Sequence, residues 1–173
     1  MVKNLLITGL PGVGKTTLIK KLVNELGIRA DGFFTSEIRE AGKRVGFWVE
    51  DFKGAKELLA SVDFPSSQRV GKYGVNVEGF EKIALPSLRR ALGEAQLVVI
   101  DEIGKMELFS QAFRSLLDKV LDSRKPVLAT ILKKSHPYTD KIKARPDVEV
   151  FNLTPSNRRE VYEKLKSILE DLI

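Results

Sequence analysis

The stretch that most constrains the fold is residues 9–17, Gly-Leu-Pro-Gly-Val-Gly-Lys-Thr-Thr, together with its two flanks. Residues 4–8 before it are mostly apolar and predict a short buried strand. After it, apolar residues recur at the spacing of one helix face and Gly27 predicts the helix end; they are Leu18, Ile19, Leu22, Val23 and Leu26. A strand, a glycine-rich turn and a helix therefore follow one another here.

The turn matches the pattern G-x-x-x-x-G-K-[ST], the Walker A motif or P-loop, with Gly9, Gly14, Lys15 and Thr16 at its fixed positions. Glycines let backbone N–H groups approach a triphosphate closely, and the start of a helix adds free N–H groups and a positive dipole end. Lys15 supplies charge for the β- and γ-phosphates, and the Thr16 hydroxyl is placed to ligate Mg²⁺. We therefore predict nucleotide binding, rather than an empty turn, by Gly9, Leu10, Pro11, Gly12, Val13, Gly14, Lys15, Thr16 and Thr17.

A second acidic segment has the form of a Walker B strand, because Asp101 and Glu102 directly follow the apolar residues 97–100. Ligands of doubly wound sheets lie at such strand ends, where the P-loop also opens. We predict that Asp101 holds Mg²⁺ with Thr16, and that Glu102 orients and deprotonates an attacking water. Residues 101–104 also spell D-x-x-G, a GTPase switch. No N-K-x-D segment follows, which favours a catalytic Glu102.

Length and composition exclude several classes of protein. At 173 residues we expect a single domain, 1–173, and no apolar run is long enough to span a membrane. The absence of cysteine excludes disulfides, thiolate zinc sites and cysteine nucleophiles. Because the chain enters a strand at once, we expect no signal or transit peptide and a cytoplasmic location. The formal charge of +6 is scattered, which favours a solvated surface over nucleic-acid binding, and the composition is typical of a thermophile.

The remaining pattern predicts an α/β fold. Residues 32–50 predict an antiparallel hairpin around Ala41-Gly42, followed by a short helix at 55–60, a strand at 70–77 and a helix at 78–92 that Pro86 breaks. Strands at 97–100, 126–131 and 148–153 then alternate with helices at 109–121, 138–144 and 155–172. This alternation predicts three layers, with a mainly parallel sheet covered on both faces and one antiparallel hairpin.

Three further groups are site candidates, each with an alternative. Thr130 ends a strand. Its hydroxyl either senses the γ-phosphate or is only hydrogen-bonded within the protein at the end of that strand. Asn157 and Arg158 open on the P-loop edge and either contact the base or, for Asn157, cap a helix. A basic patch either supplies charge to the transition state through Arg145 or is a solvated face; it comprises Lys133, Lys134, His136, Lys141, Lys143 and Arg145.

With these segments assembled, the chain resembles the THEP-type nucleoside-triphosphatase family, small P-loop NTPases of thermophiles and, as a cancer-related NTPase, of animals. The similarity covers nearly the whole chain and shows in residues 9–17, 32–39, 44–47, 71–75, 101–107 and 157–158. The run D-E-I-G-K-M-E at 101–107 is its most specific part. The resemblance implies Mg²⁺-dependent hydrolysis of nucleoside triphosphates with broad base tolerance and a RecA-like sheet. It also draws attention to Lys105, which lies in this run and would bring positive charge near the γ-phosphate.

A nucleoside triphosphatase is the favoured function, because the adjacent acids indicate water as the acceptor. Two alternatives stay open, a nucleoside or nucleotide kinase and an RNA- or DNA-stimulated ATPase. We expect a nucleoside triphosphate as the substrate, no membrane partner and a monomer, while nucleic acid is not the favoured partner.

Overall fold

The computed structural model describes all 173 residues and contains nine strands and five α-helices. The strands are β1 (Asn4–Thr8), β2 (Ala30–Glu40), β3 (Lys43–Asp51), β4 (Lys56–Ser61), β5 (Arg69–Val70), β6 (Tyr73–Val75), β7 (Leu97–Ile103), β8 (Val127–Ile131) and β9 (Val148–Asn152). The helices are α1 (Lys15–Leu26), α2 (Val77–Glu94), α3 (Gln111–Asp122), α4 (Pro137–Lys143) and α5 (Arg158–Leu172), and Glu107–Phe109 forms a 3₁₀ turn.

All nine strands form one sheet in the order β5-β6-β4-β3-β2-β7-β8-β1-β9. Strands β2, β7, β8, β1 and β9 run parallel to one another, and every other pair, beginning with β2–β3, is antiparallel. Strand β8 separates β1, which leads into the P-loop, from β7, which carries Asp101 and Glu102. This arrangement confirms the predicted α/β class, and its antiparallel part is larger than the single hairpin expected.

The two faces of the sheet are covered by different helices. Successive residues of a strand point to opposite faces, so each strand contributes to both cores. Leu5 and Ile7 of β1 pack in one core with residues of α1 and α5. Leu6, between them, packs in the other core with residues of α2, α3 and α4. The strands are therefore apolar on both faces, as expected for strands buried in a parallel sheet. None of the helices is long and apolar enough to cross a membrane.

Strand β4 (Lys56–Ser61) occupies this part of the chain, so the short helix predicted at 55–60 is wrong. The sequence Ala-Lys-Glu-Leu-Leu-Ala contains strong helix formers, but β4 pairs with β3 on one side and β6 on the other. Leu59 and Ala60 are also buried in the core that β1 shares, through Leu6, with helices α2, α3 and α4. Pairing and burial outweigh a local propensity that amounts to only a few tenths of a kcal/mol per residue, about 0 to 0.7 on the usual scale. The strand predicted at 70–77 is instead the hairpin β5–β6.

Helix α2 runs through Pro86 without ending, so the predicted break is also wrong. Proline removes one backbone N–H and leaves the carbonyl of Lys82 without its helical donor. Both Lys82 and Pro86 are exposed, so water can hydrate that carbonyl. The opposite face of α2 buries Phe80, Ile83 and Leu88, and this packing keeps the helix continuous.

Candidate active site

The P-loop joins β1 to α1 with a backbone that only glycine adopts readily. Gly14 is the N-cap of α1 and has φ 101°, in the left-handed region. A Cβ at Gly9 would lie 2.6 Å from the carbonyl oxygen of Leu153, so the loop also needs a glycine where it passes the end of β9. The Lys15 ammonium donates to the Gly9 carbonyl over 2.6 Å, which holds this side chain back across the loop. The strand, glycine-rich turn and helix predicted from residues 4–27 are confirmed.

Asp101 lies where the sequence analysis expected it, beside the P-loop. Its Oδ2 accepts a hydrogen bond from the Thr16 hydroxyl over 2.5 Å, and its Oδ1 accepts one from Thr130 over 2.7 Å. Burial raises the pKa of Asp101, and these two hydroxyls and the nearby Lys15 oppose that rise. Thr130 is fully buried, and its hydrogen bond orients the Asp101 carboxylate.

The donors assembled here fit Mg²⁺. Thr16 and Asp101 present a hydroxyl and a carboxylate, and hard oxygen ligands are those that Mg²⁺ prefers. No group of three or more His, Cys, Asp or Glu residues is clustered anywhere in the chain. A site with one carboxylate matches the usual binding of Mg²⁺, which keeps several waters and takes further ligands from substrate phosphates.

Glu102 and Glu107 bring two carboxylates together around Gly104. A Cβ built on Gly104 would lie 2.8 Å from Oε1 of Glu102 and 3.0 Å from Oε1 of Glu107. Burial raises the pKa of Glu102, Lys15 opposes the rise and Asp101 adds to it. Burial also raises the pKa of Glu107 well above its ordinary value, and Glu102 raises it further. Glu107 was not assigned a role from the sequence, where its only signal is its place in the D-E-I-G-K-M-E run.

A cavity of about 790 Å³ lies beside the P-loop, on the side of α5. Its walls include Thr17 of α1, Leu153 at the end of β9, and Arg158 and Tyr162 of α5. Arg158 therefore lies where the sequence analysis expected a base-contacting residue. Tyr162 also lines the cavity, and the sequence did not predict this role. The spacing of apolar residues on α5 shows only that Tyr162 belongs to the buried face of that helix. Its hydroxyl donates to Glu25, and the Lys21 ammonium lies 4.5 Å from its ring centroid.

Asn157 holds the loop before α5 and does not line this cavity. Its Oδ1 accepts from the backbone N–H of Thr154 over 2.7 Å, and its Nδ2 donates to the carbonyl of Asn152 over 2.8 Å. It is the N-cap residue of α5 by position, but its side chain makes no capping bond to the helix. Asn157 therefore fixes the loop from which Arg158 reaches the cavity.

Arg145 cannot supply charge to the P-loop, which corrects the sequence-based suggestion. Its guanidinium pairs with Asp122 over 2.8 Å and with Asp147 over 2.9 Å, at the end of the sheet where the parallel strands begin. The P-loop lies at the opposite end, where these strands finish. Lys105 is exposed and follows Glu102 by three residues, on the P-loop edge.

Together, the sheet order, the P-loop and the acids at the end of β7 define a P-loop NTPase domain. A family model described as NTPase matches residues 4–166. A nucleoside-triphosphatase THEP1 of Thermotoga sp. (strain RQ2) is 51% identical over 166 residues, covering 96% of this chain and 95% of the relative. The chain belongs to this THEP1-type NTPase family, which confirms the predicted enzyme class.

Two solved structures support this assignment. The crystal structure of THEP1 from the hyperthermophile Aquifex aeolicus has a TM-score of 0.88 and 45% identity, covering 96% of this chain and 99% of that one. The solution structure of a human cancer-related nucleoside triphosphatase has a TM-score of 0.82 and 39% identity, covering 98% of both chains. The fold is therefore matched along nearly the full length of each chain.

Proposed function

We propose that this protein hydrolyses nucleoside triphosphates to the diphosphate and phosphate, with Mg²⁺ as cofactor and broad tolerance for the base. The observation that carries the proposal is the position of Glu102. This residue follows Asp101 directly, is half-buried at the end of β7, and lies close enough to Lys15 for the ammonium to lower its pKa. The names of the relatives, nucleoside-triphosphatase THEP1, support the same substrate class.

Different residues of the P-loop edge bind the phosphates and the metal ion. Backbone N–H groups at the start of α1 and the Lys15 ammonium bind the β- and γ-phosphates. Thr16 and Asp101 would hold Mg²⁺, which when bound neutralises charge on those phosphates. Thr130 keeps the Asp101 carboxylate oriented through its 2.7 Å hydrogen bond.

Glu102 acts as the general base. It takes a proton from a water whose oxygen bonds to the γ-phosphorus, while the bond from that phosphorus to the bridging oxygen breaks and the diphosphate leaves. A carboxylate with a raised pKa is a stronger base, and catalysis is most efficient when that pKa lies nearer the working pH. Lys15 opposes the rise, because its positive charge favours the ionised carboxylate.

Broad base tolerance follows from the walls of the cavity beside the P-loop. Long side chains with several rotatable bonds line it, among them Lys21, Arg158 and Arg159. Such side chains adapt to different bases, whereas a rigid set of buried donors and acceptors would select one. We propose Arg158 as a base contact and Asn157 as the residue that positions its loop.

The test is Glu102→Gln, which keeps the shape of the side chain and removes the base. We expect kcat for phosphate release from ATP with Mg²⁺ to fall by roughly 10²–10⁴-fold, the usual contribution of a general base, while ATP still binds. Glu149→Gln makes the same chemical change at an exposed site on β9 and should leave kcat unchanged. Lys15→Ala, in contrast, should weaken ATP binding as well as hydrolysis.

A normal rate of hydrolysis in Glu102→Gln would refute water activation by this residue. Adding nucleosides or nucleoside monophosphates to the same assay then tests the kinase alternative, because phosphate would appear on the acceptor. Adding RNA or DNA tests the stimulated ATPase. The cytoplasmic location, the thermophilic origin and the monomeric state stay predictions from the sequence.

A further inference from the structure

A second cavity of about 370 Å³ lies on the same edge of the sheet as the P-loop and shares no wall residue with the first. Four segments line it: the β5–β6 hairpin, the loop after β7, the first turn of α3 and the segment before α4. The strand registers explain how these distant segments meet. Phe33 is the last residue of β2 that pairs with β7, and β2 continues beyond it. The antiparallel strands β3, β4 and β6, which follow β2 in the sheet, therefore extend past the end of β7.

The walls of this second cavity are basic. Arg69, Lys105, Arg114 and His136 all line it, and no acidic residue does. None of the four forms an ion pair within 4.0 Å. Like charges that converge in a concave site without a carboxylate raise the local positive potential and attract anions.

Three of these side chains are already held in place, and the first is Arg69, whose guanidinium donates to the Lys72 carbonyl over 2.7 Å. The Arg114 Nε donates to the Leu108 carbonyl over 2.6 Å, and its guanidinium lies 5.3 Å from the Tyr138 ring centroid. Both terminal NH₂ groups of Arg114 are without a partner within the chain. The His136 Nδ1 accepts from the backbone N–H of Tyr138 over 3.1 Å, so the neutral imidazole carries its proton on Nε2. An oxyanion would therefore find fixed donors.

We propose that this second cavity binds a phosphomonoester. The phosphate dianion accepts hydrogen bonds from Arg114, His136 and the two exposed cations, Arg69 and Lys105. The organic part lies against the apolar walls Leu108 and Phe109. The volume of about 370 Å³ falls in the range of small-molecule sites, roughly 300–1,000 Å³. A concave site of this volume holds one small phosphorylated molecule, whereas a nucleic-acid strand would need a longer groove.

The experiment measures binding of AMP, and separately of inorganic phosphate, by calorimetry with the P-loop saturated by β,γ-imido-ATP and Mg²⁺. We expect one further molecule of AMP to bind. Arg69→Glu should raise its Kd by about tenfold or more, because a charged hydrogen bond is replaced by repulsion. Arg89→Glu makes the same charge change at an exposed site on α2 and should leave the Kd unchanged. Binding of inorganic phosphate at the same site would show that the dianion itself is recognised.

His136→Asn is a second variant that keeps a side-chain acceptor for the Tyr138 N–H but removes the imidazole N–H. It should also weaken AMP binding, and circular dichroism checks that both variants fold. The proposal is overturned if neither AMP nor phosphate binds, or if Arg69→Glu binds AMP as the wild type does. A single-stranded oligonucleotide is titrated in the same way. The proposal is also overturned if Arg69→Glu weakens the binding of the oligonucleotide but not that of AMP. No hydrolysis is measured, so these outcomes are independent of the proposed function.

Discussion

Replacing Glu107 with glutamine should make the stability of the ligand-free protein less dependent on pH. The Glu107 side chain is 3% exposed, and its burial raises its pKa well above the ordinary value of 4.5. Glu102 and Asp101 raise this pKa further by repulsion, while the backbone N–H groups of Gly104 and Glu107 oppose the rise. Glutamine has the same shape and still accepts those hydrogen bonds, but it carries no charge.

The magnitude follows from proton linkage. Above pH 4.5 the unfolded chain loses the Glu107 proton, whereas the folded chain keeps it until the pH reaches the raised pKa. The folded state therefore binds more protons, so the free energy of unfolding falls as the pH rises through this window. The loss is at most about 1.4 kcal/mol for each pH unit between the two pKa values. Below pH 4.5 Glu107 contributes no slope, and above the raised pKa the slope ends.

Urea unfolding at pH 5, 6, 7 and 8 without Mg²⁺ measures the effect in the wild type and Glu107→Gln. The advantage of the variant should grow with pH by up to about 1.4 kcal/mol per unit. Glu102 contributes a slope of the same sign in both proteins, because its pKa is also raised, and the difference keeps only the part of that slope that depends on the Glu107 charge. The control is Glu170→Gln, at an exposed site on α5, which should show no such growth. A constant difference between Glu107→Gln and the wild type would refute the reasoning.

Three further predictions concern the P-loop edge. Asp101→Asn should weaken Mg²⁺-dependent ATP binding and hydrolysis together, which equilibrium binding with and without Mg²⁺ checks; unchanged binding would contradict a metal role. Gly9→Ala should destabilise the protein by about 1–3 kcal/mol, as overpacking does, because its Cβ would lie 2.6 Å from the Leu153 carbonyl oxygen. Thermal unfolding measures that loss, and an unchanged Tm would show that the loop relaxes. Arg158→Ala should change the ranking of KM among ATP, GTP, CTP and UTP, whereas Asn157→Ala should chiefly lower Tm; the opposite pattern would reverse these roles.

Local sequence patterns were enough to predict the P-loop and its flanking elements. The strand, turn and helix of the P-loop are encoded within 24 consecutive residues, 4–27, because the apolar spacing and the glycines act locally. The same holds for the buried strand that ends at Asp101. The parallel sheet followed from the alternation of apolar strands with helices, and the structure places Asp101, near the carboxyl end of β7, beside the P-loop.

Features that depend on residues far apart in the chain could not be predicted in this way. Residues 55–60 have helix propensity, but all except Ala55 lie in β4, because β3 and β6 offer backbone pairing that no local rule reveals. Arg145 belongs to a run of basic residues in the sequence, yet Asp122 and Asp147 hold it at the far end of the sheet. The burial of Glu107 beside Glu102 and the meeting of Arg69 with Arg114 likewise appear only when the chain is packed. Charge and burial depend on which segments meet in space, and that depends on the order of the strands.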